Sequence, residues 1–213
     1  MIALGWAGPG TIPPAPMRAT QASGMTLLCA PVDLACTPRR LLELQVSCFD
    51  AGIDLLCFPP RSAPPIAHAL EQGLAQGHRI RAALGTLRCM GQLAVEVDWE
   101  APVVPPVAAQ SGRQWLQRRR SEAQRSTTLA RRAAQILTEV TRDLGSTHST
   151  ISTRADRCRI FLLLPRQDHS SILDAIARRA RALDTPGMRL TATGLWPSSL
   201  FTSVLVDPVE VTA

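Results

Sequence analysis

The stretch GQLAVEVDWE, Gly91–Glu100, decides how the second half of this chain is read. Leu93, Val95, Val97 and Trp99 alternate with Ala94, Glu96 and Asp98. Successive side chains of a strand point to opposite faces, so this period of two marks a half-buried strand, apolar toward a core and acidic toward water. Downstream, a helix is expected from about Gly112 to Leu144. Its second half carries Leu129, Ala133, Ile136, Val140 and Leu144 at helical spacing. CRIFLLLP, ending at Pro165, reads as a strand. Asp168 or Ser170 then caps a helix bearing Ile172, Ile176, Ala180 and Leu183. Pro186 and Gly187 turn the chain into a last strand, Met188–Thr193, which breaks at a corner of Gly194, Trp196 and Pro197. Strand, helix, strand, helix, strand is a ferredoxin-like α+β order lacking one strand, or holding it in the poorly patterned STISTRAD segment, 149–156.

Upstream, residues 1–24 are rich in Gly, Pro and Ala, with MIALGW as a candidate strand. Met25–Cys29 is a short apolar strand stopped by Pro31. Thr37 followed by Pro38 is a helix start, a hydroxyl cap before a proline in the first turn. Leu41, Leu42, Val46 and Phe49 stripe that helix, and Gly52 ends it. IDLLCF is the next strand, and Ile66–Leu87 is an amphipathic helix that Gly73 and Gly77 weaken. The expected fold class is therefore α+β: two small α/β units, 1–90 and 91–213, the C-terminal one ferredoxin-like with a long helix. The two halves show no internal repeat.

The 213 residues are 46% hydrophobic, enough to pack a core. No apolar run approaches the roughly 20 residues of a membrane helix, and the N-terminus lacks the basic region of a signal peptide. A cytoplasmic protein without a membrane partner is expected. Lys, Tyr and Asn are absent, and all 23 basic residues are Arg, a bias that codon usage alone can produce. The formal charge is +6. Arg113, Arg118, Arg119, Arg120, Arg125, Arg131 and Arg132 against Glu122 give 7 − 1 = +6, so one element holds the whole imbalance.

Catalytic constellations are not found. GWAGPG lacks the Lys of a phosphate-binding loop, and there is no G-x-S-x-G elbow. The six Cys have neither C-x-x-C nor zinc-finger spacing and read as reduced, buried thiols. His68, His78, His148 and His169 are isolated. Glu96 and Asp98 share one strand face, where a divalent ion is conceivable, but the wet face of a half-buried strand is the better account. No enzyme and no cofactor are expected. The Arg-rich stretch 113–132 leaves three readings open: a solvated helix face, a partner-protein surface, or a nucleic-acid-binding module. Against nucleic acid, the strands offer only Trp99 and Phe161 as aromatics for base stacking.

Four segments in order carry a family resemblance. GQLAVEVDWE resembles the strand written E-W-G-V-K-V-Y in the gas vesicle GvpF/GvpL family. SGRQWLQRRRSEA, Ser111–Ala123, is similar to its S-G-R-x-Y-L-x-R-R/K-x-x-E helix start, with Trp115 in place of Tyr. CRIFLLLPRQD resembles its A-F-L-V-P-R strand. RLTATGLWPSSLF resembles its closing L-T-G-P-W-P-P-Y-x-F, keeping Gly194, Trp196, Pro197 and Phe201, while Leu195, Ser198 and Ser199 replace Pro, Pro and Tyr. The likeness covers the C-terminal 120 or so residues best and the first 90 loosely. It implies a non-enzymatic accessory protein of gas vesicles in the cytoplasm, a minor component that helps build the shell. The partners it implies are the shell protein GvpA and other accessory Gvp proteins. The surfaces it points to are Trp196, Pro197 and Phe201 near the C-terminus and Trp115, Arg118 and Arg119 at the start of the long helix; for Trp196 and Phe201 the other reading is that they fold back over the last sheet and seal the C-terminal core.

Overall fold

A computed structural model of the chain describes residues 1–35, 37–100, 111–142, 144, 148–154, 156–183, 185, 187–199 and 201. The Pro-rich stretch 101–110 lies outside the described residues. Two compact units form. The first contains Met1–Gln92, Pro165–Gln167 and the chain from Leu195, and the second contains Leu93–Leu164 and Asp168–Gly194.

The first unit contains β1 (Ile2–Ala7), β2 (Arg18–Ala22), β3 (Met25–Ala30), α1 (Pro38–Asp50), β4 (Leu55–Cys57) and α2 (Ile66–Leu87). Its strands form an antiparallel sheet in the order β2-β3-β1-β4. On one face, Leu4, Ala7, Leu28, Ala30, Leu55 and Cys57 cluster with Leu41, Leu44 and Cys48 of α1. A register shift between Ala3 and Gly5 lets Leu4 and Ala7 share that face. On the other face Trp6 lies against α2: a Cβ on Gly73 would stand 2.4 Å from the Trp6 ring. Gly73 therefore does more than weaken the helix. Its missing side chain is what lets α2 approach the buried indole. Both sheet faces are covered, which is why β3 is buried at every position, with Thr26 its one polar residue.

Two polar groups stabilise this core. Thr37 caps α1 by accepting from the Arg40 amide at 3.2 Å, with Pro38 at the first position. The buried Gln45 amide donates to the carbonyls of Leu4 (2.9 Å) and Phe58 (2.7 Å), satisfying backbone acceptors at the end of the β1–β4 pair. Burial pushes the thiols of Cys29 and Cys48 up to about 11 and that of Cys57 further still, so these cysteines act as small hydrophobes.

The second sheet has the order β6-β7-β5-β8, built from β5 (Met90–Trp99), β6 (His148–Thr153), β7 (Arg157–Pro165) and β8 (Met188–Trp196). Helix α3 (Gly112–Arg142) connects β5 to β6, and a 3-10 turn, Arg166–Asp168, leads from β7 into α4 (His169–Arg181). This is the ferredoxin-like order with all four strands present. The strand missing from the sequence pattern is β6, inside the polar segment singled out above. It pairs antiparallel with β7, Ser152 opposite Arg159. β8 runs on through Gly194 to Trp196, so the corner comes at Pro197, three residues later than the sequence predicts.

Leu93, Val95, Val97 and Trp99 of β5 and Cys158, Ile160, Leu162 and Leu164 of β7 are buried. Ala133, Ile136, Leu137 and Val140 of α3 and Ile172 and Ile176 of α4 supply the apolar cover. Numbered in chain order within each unit, both sheets run 2-3-1-4. This shared plan is invisible as a sequence repeat because the helices fall at different points. The first unit has no helix between its first two strands and gains α2 after its fourth.

Candidate functional site

Helix α3 begins with a reciprocal cap. Gln114 N donates to the Ser111 hydroxyl at 3.3 Å, and Ser111 N donates to the Gln114 side-chain carbonyl at 3.2 Å. The capping box starts the helix, yet from Gly112 to Thr128 no residue is fully buried. Trp115 is 53% exposed and Leu116 54%. Arg118 and Arg119 reach Glu122 at 3.0 and 3.8 Å, and the Arg119 guanidinium stands 5.6 Å from the centre of the Trp115 ring. The three expected residues of this helix, Trp115, Arg118 and Arg119, are therefore one contiguous cluster. Tryptophan and arginine side by side on an accessible helix form the side-chain combination enriched at the energetic centres of interfaces.

The C-terminal trio separates. Trp196 is 45% exposed, whereas Pro197 and Ser198 are buried and Phe201 is 1% exposed. Amides of Ser199 and Phe201 donate to the carbonyls of Pro197 and Ser198, coiling the segment tightly. Phe201 is a core side chain of the first unit, so only Trp196 of this trio presents an accessible aromatic surface.

The outer face of the second sheet carries Glu96 and Asp98 on β5 and Arg157, Arg159 and half-buried Phe161 on β7. Arg159 directs both Nε and Nη2 to one Glu96 oxygen, Oε2, and Arg157 reaches the other, Oε1, at 3.4 Å. Burial first, and the neighbouring Glu96 charge second, push the Asp98 carboxyl above the usual carboxylate range, while Arg157 and Arg189 oppose the shift. Arg157 and Arg159 pair with Glu96, and Arg157 stands 4.0 Å from Asp98. Among the described residues no group of three or more His, Cys, Asp or Glu side chains could hold a metal. Trp99 points away from this face and is 6% exposed. Among the described residues Phe161 is the aromatic lining this face beside Arg154, Arg157 and Arg159, and Glu96 already engages two of these arginines.

One structural residue escaped the sequence reading. Arg166 follows the proline that ends β7. Its Nη2 donates to Asp54 Oδ1 at 3.0 Å, Nη1 to Phe49 O at 3.2 Å, and Nε to Met90 O at 3.1 Å. The guanidinium carbon lies 3.8 Å from the centre of the Phe49 ring. Arg166 N donates to Cys89 O, and Cys89 N to Asp54 Oδ2, fixing Cys89 at φ +57. Within the first unit Arg166 thus ties the end of α1, the 53–54 turn and the start of β5 together. An Arg directly after a strand-ending Pro was the only sequence signal for it. Elsewhere in this unit Gly8, Thr11, Gly52, Asp54, Leu84 and Arg88 line a cavity of about 470 Å³, without convergent catalytic groups.

No helix among the described residues is long and apolar enough to cross a membrane. No protein-family model matches the chain, and no curated protein matches its sequence. Its fold does have solved counterparts. The crystal structure of the gas vesicle protein GvpF from Microcystis aeruginosa superposes with a TM-score of 0.67 at 11% identity, covering 94% of this chain and 98% of that one. GvpF from Anabaena sp. PCC7120 gives 0.65 at 12% identity, with 95% and 96% covered. Across nearly its whole length, the chain has the fold of GvpF.

Proposed function

We propose that this protein is a gas vesicle accessory protein that helps build the vesicle by binding the shell protein GvpA and other Gvp proteins. The observation that carries the reading is the near-complete superposition on two GvpF structures, joined to the four sequence segments that resemble the GvpF/GvpL family in order. The described residues bring together no group of three or more His, Cys, Asp or Glu side chains that could hold a metal. What the surface offers is contact chemistry: Trp115 with Arg118 and Arg119 on one helix, and Trp196 at the end of β8. A protein that handles a hydrophobic shell subunit needs apolar anchors set in an adaptable polar rim. Trp115 and Trp196 are such anchors.

The direct test is co-expression of tagged protein with GvpA, followed by affinity purification. GvpA co-purifies with the wild type, and the Trp115→Ala/Trp196→Ala variant loses it while keeping the wild-type melting temperature. Retention of GvpA by that folded variant removes these surfaces from the proposal. Absence of GvpA and of every other Gvp protein from the wild-type eluate refutes the proposed function.

A further inference from the structure

We infer that the exposed first half of α3 is a docking face for an acidic amphipathic helix of a partner protein. The inference names the chemistry of a partner, and so rests on the binding role proposed above.

Four observations converge. The first is continuity of the helix face. Ala133, Leu137 and Val140 of α3 are buried. Trp115, Arg119 and Glu122 each precede one of them by eighteen residues, which is five turns at 3.6 residues per turn. The line that packs into the core in one half therefore continues in the other half as an exposed Trp flanked by Arg118 and Arg119. The second is length. Gly112 to Thr128 is seventeen residues, about 25 Å of helix at 1.5 Å per residue, long enough to meet several turns of a second helix.

The third is charge. Between Gly112 and Thr128, Arg113, Arg118, Arg119, Arg120 and Arg125 face a single Glu122, so the segment is 5 − 1 = +4. The whole chain is only +6. The same helix segment of a second copy would bring like charge against like charge. A row of Glu or Asp flanking an apolar stripe complements it, as charged flanking positions do between paired helices. The fourth is the helix dipole. The first turn of α3 contains no acidic residue. The positive end of the helix is left beside Arg113, a destabilising arrangement that a partner's carboxylates relieve.

Trp115 and Leu116 supply the apolar anchors, and the guanidiniums supply the rim. A nucleic acid would match the charge but gain little from Leu116.

The test uses the full chain and three labelled probes, followed by fluorescence anisotropy. One is a peptide of about three heptads with Leu at the seam positions and Glu on the flanks. The second is the same composition scrambled so that no apolar stripe forms. The third is single-stranded RNA. The helical peptide is expected to bind, with the scrambled peptide and RNA both weaker. Trp115→Ala and Arg119→Glu should each weaken peptide binding by about tenfold or more. Both positions are exposed, so the melting temperature should stay unchanged. Equal binding of the scrambled peptide overturns the inference, since charge alone would then suffice. Tighter binding of RNA overturns it in favour of a nucleic-acid surface, and so does the absence of peptide binding. Peptide binding without any gas vesicle phenotype on gene deletion leaves this inference standing and refutes the proposed function; the opposite pair of results does the reverse.

Discussion

The two sheets share one strand order and treat their second face in opposite ways. In the first unit α1 and α2 cover both faces, and β3 is buried at every position. In the second, one face is apolar and closed while the other carries the Glu96, Asp98, Arg157 and Arg159 cluster. The difference follows from where the second helix enters. In the second unit α3 and α4 both bridge strands, and right-handed crossovers put such helices on one face. In the first, α2 follows the last strand and is free to pack on the other side. A helix moved by one connection converts an alternating strand into a continuously buried one.

Truncations at equivalent depth break or confirm this contrast. Leu28→Ala, in the sheet covered on both faces, should cost about 2–5 kcal/mol in urea unfolding, and Phe201→Ala about 3–5 kcal/mol. Phe161→Ala, on the half-open face, should cost about 1 kcal/mol or less beyond its lost contact with Arg159. Similar losses at Leu28 and Phe161 would mean that the second sheet is covered as well.

Arg166→Gln removes a guanidinium with several hydrogen-bonded partners and leaves Asp54 uncompensated. A loss of about 2–4 kcal/mol is expected, because the pair is only about a quarter exposed (23% and 26%). Gly73→Ala forces a methyl group into the Trp6 ring and should cost about 1–3 kcal/mol, visible as a lower melting temperature. Gly85→Ala, on the same helix with open space around it, should instead stabilise by up to about 1 kcal/mol. Matching signs at the two glycines would contradict the close approach of α2 to Trp6.

The smallest effect concerns the outer face. A carboxyl whose folded-state pKa is raised binds its proton more tightly in the folded state. Ionised Asp98 therefore costs stability above that pKa, and the cost fades as pH falls through it. Asp98→Asn should slightly raise the melting temperature at neutral pH and leave it unchanged around pH 3. A lower melting temperature at neutral pH would show that Arg157 and Arg189 outweigh burial and Glu96.

Much of the fold was legible where local chemistry and global packing agree. The Thr37–Pro38 start of α1 and the alternation of β5 are of this kind. β2 and β6 were not legible as strands, because RATQA and HSTIST are polar edge-strand sequences with no apolar alternation to set a period. Gly73 looked like a defect until its neighbour was known. The site divides in the same way. Trp115, Arg118 and Arg119 are close in sequence and stay together on a helix. The closing motif grouped Phe201 with Trp196, as a contact surface or as a seal on the core; a tight turn sends Phe201 inward and leaves Trp196 outside, so each reading holds for one of the two. Arg166 makes its bonds to Phe49, Asp54 and Met90, partners more than 70 residues away. No local pattern encodes them.

The most direct measurement is deletion of the gene in its own organism, read as pressure-collapsible turbidity of the cells. The deletion strain should lose that turbidity, the wild-type gene should restore it, and the Trp115→Ala/Arg119→Glu variant should fail to restore it at equal protein level. A deletion strain with normal pressure-collapsible turbidity would contradict the account.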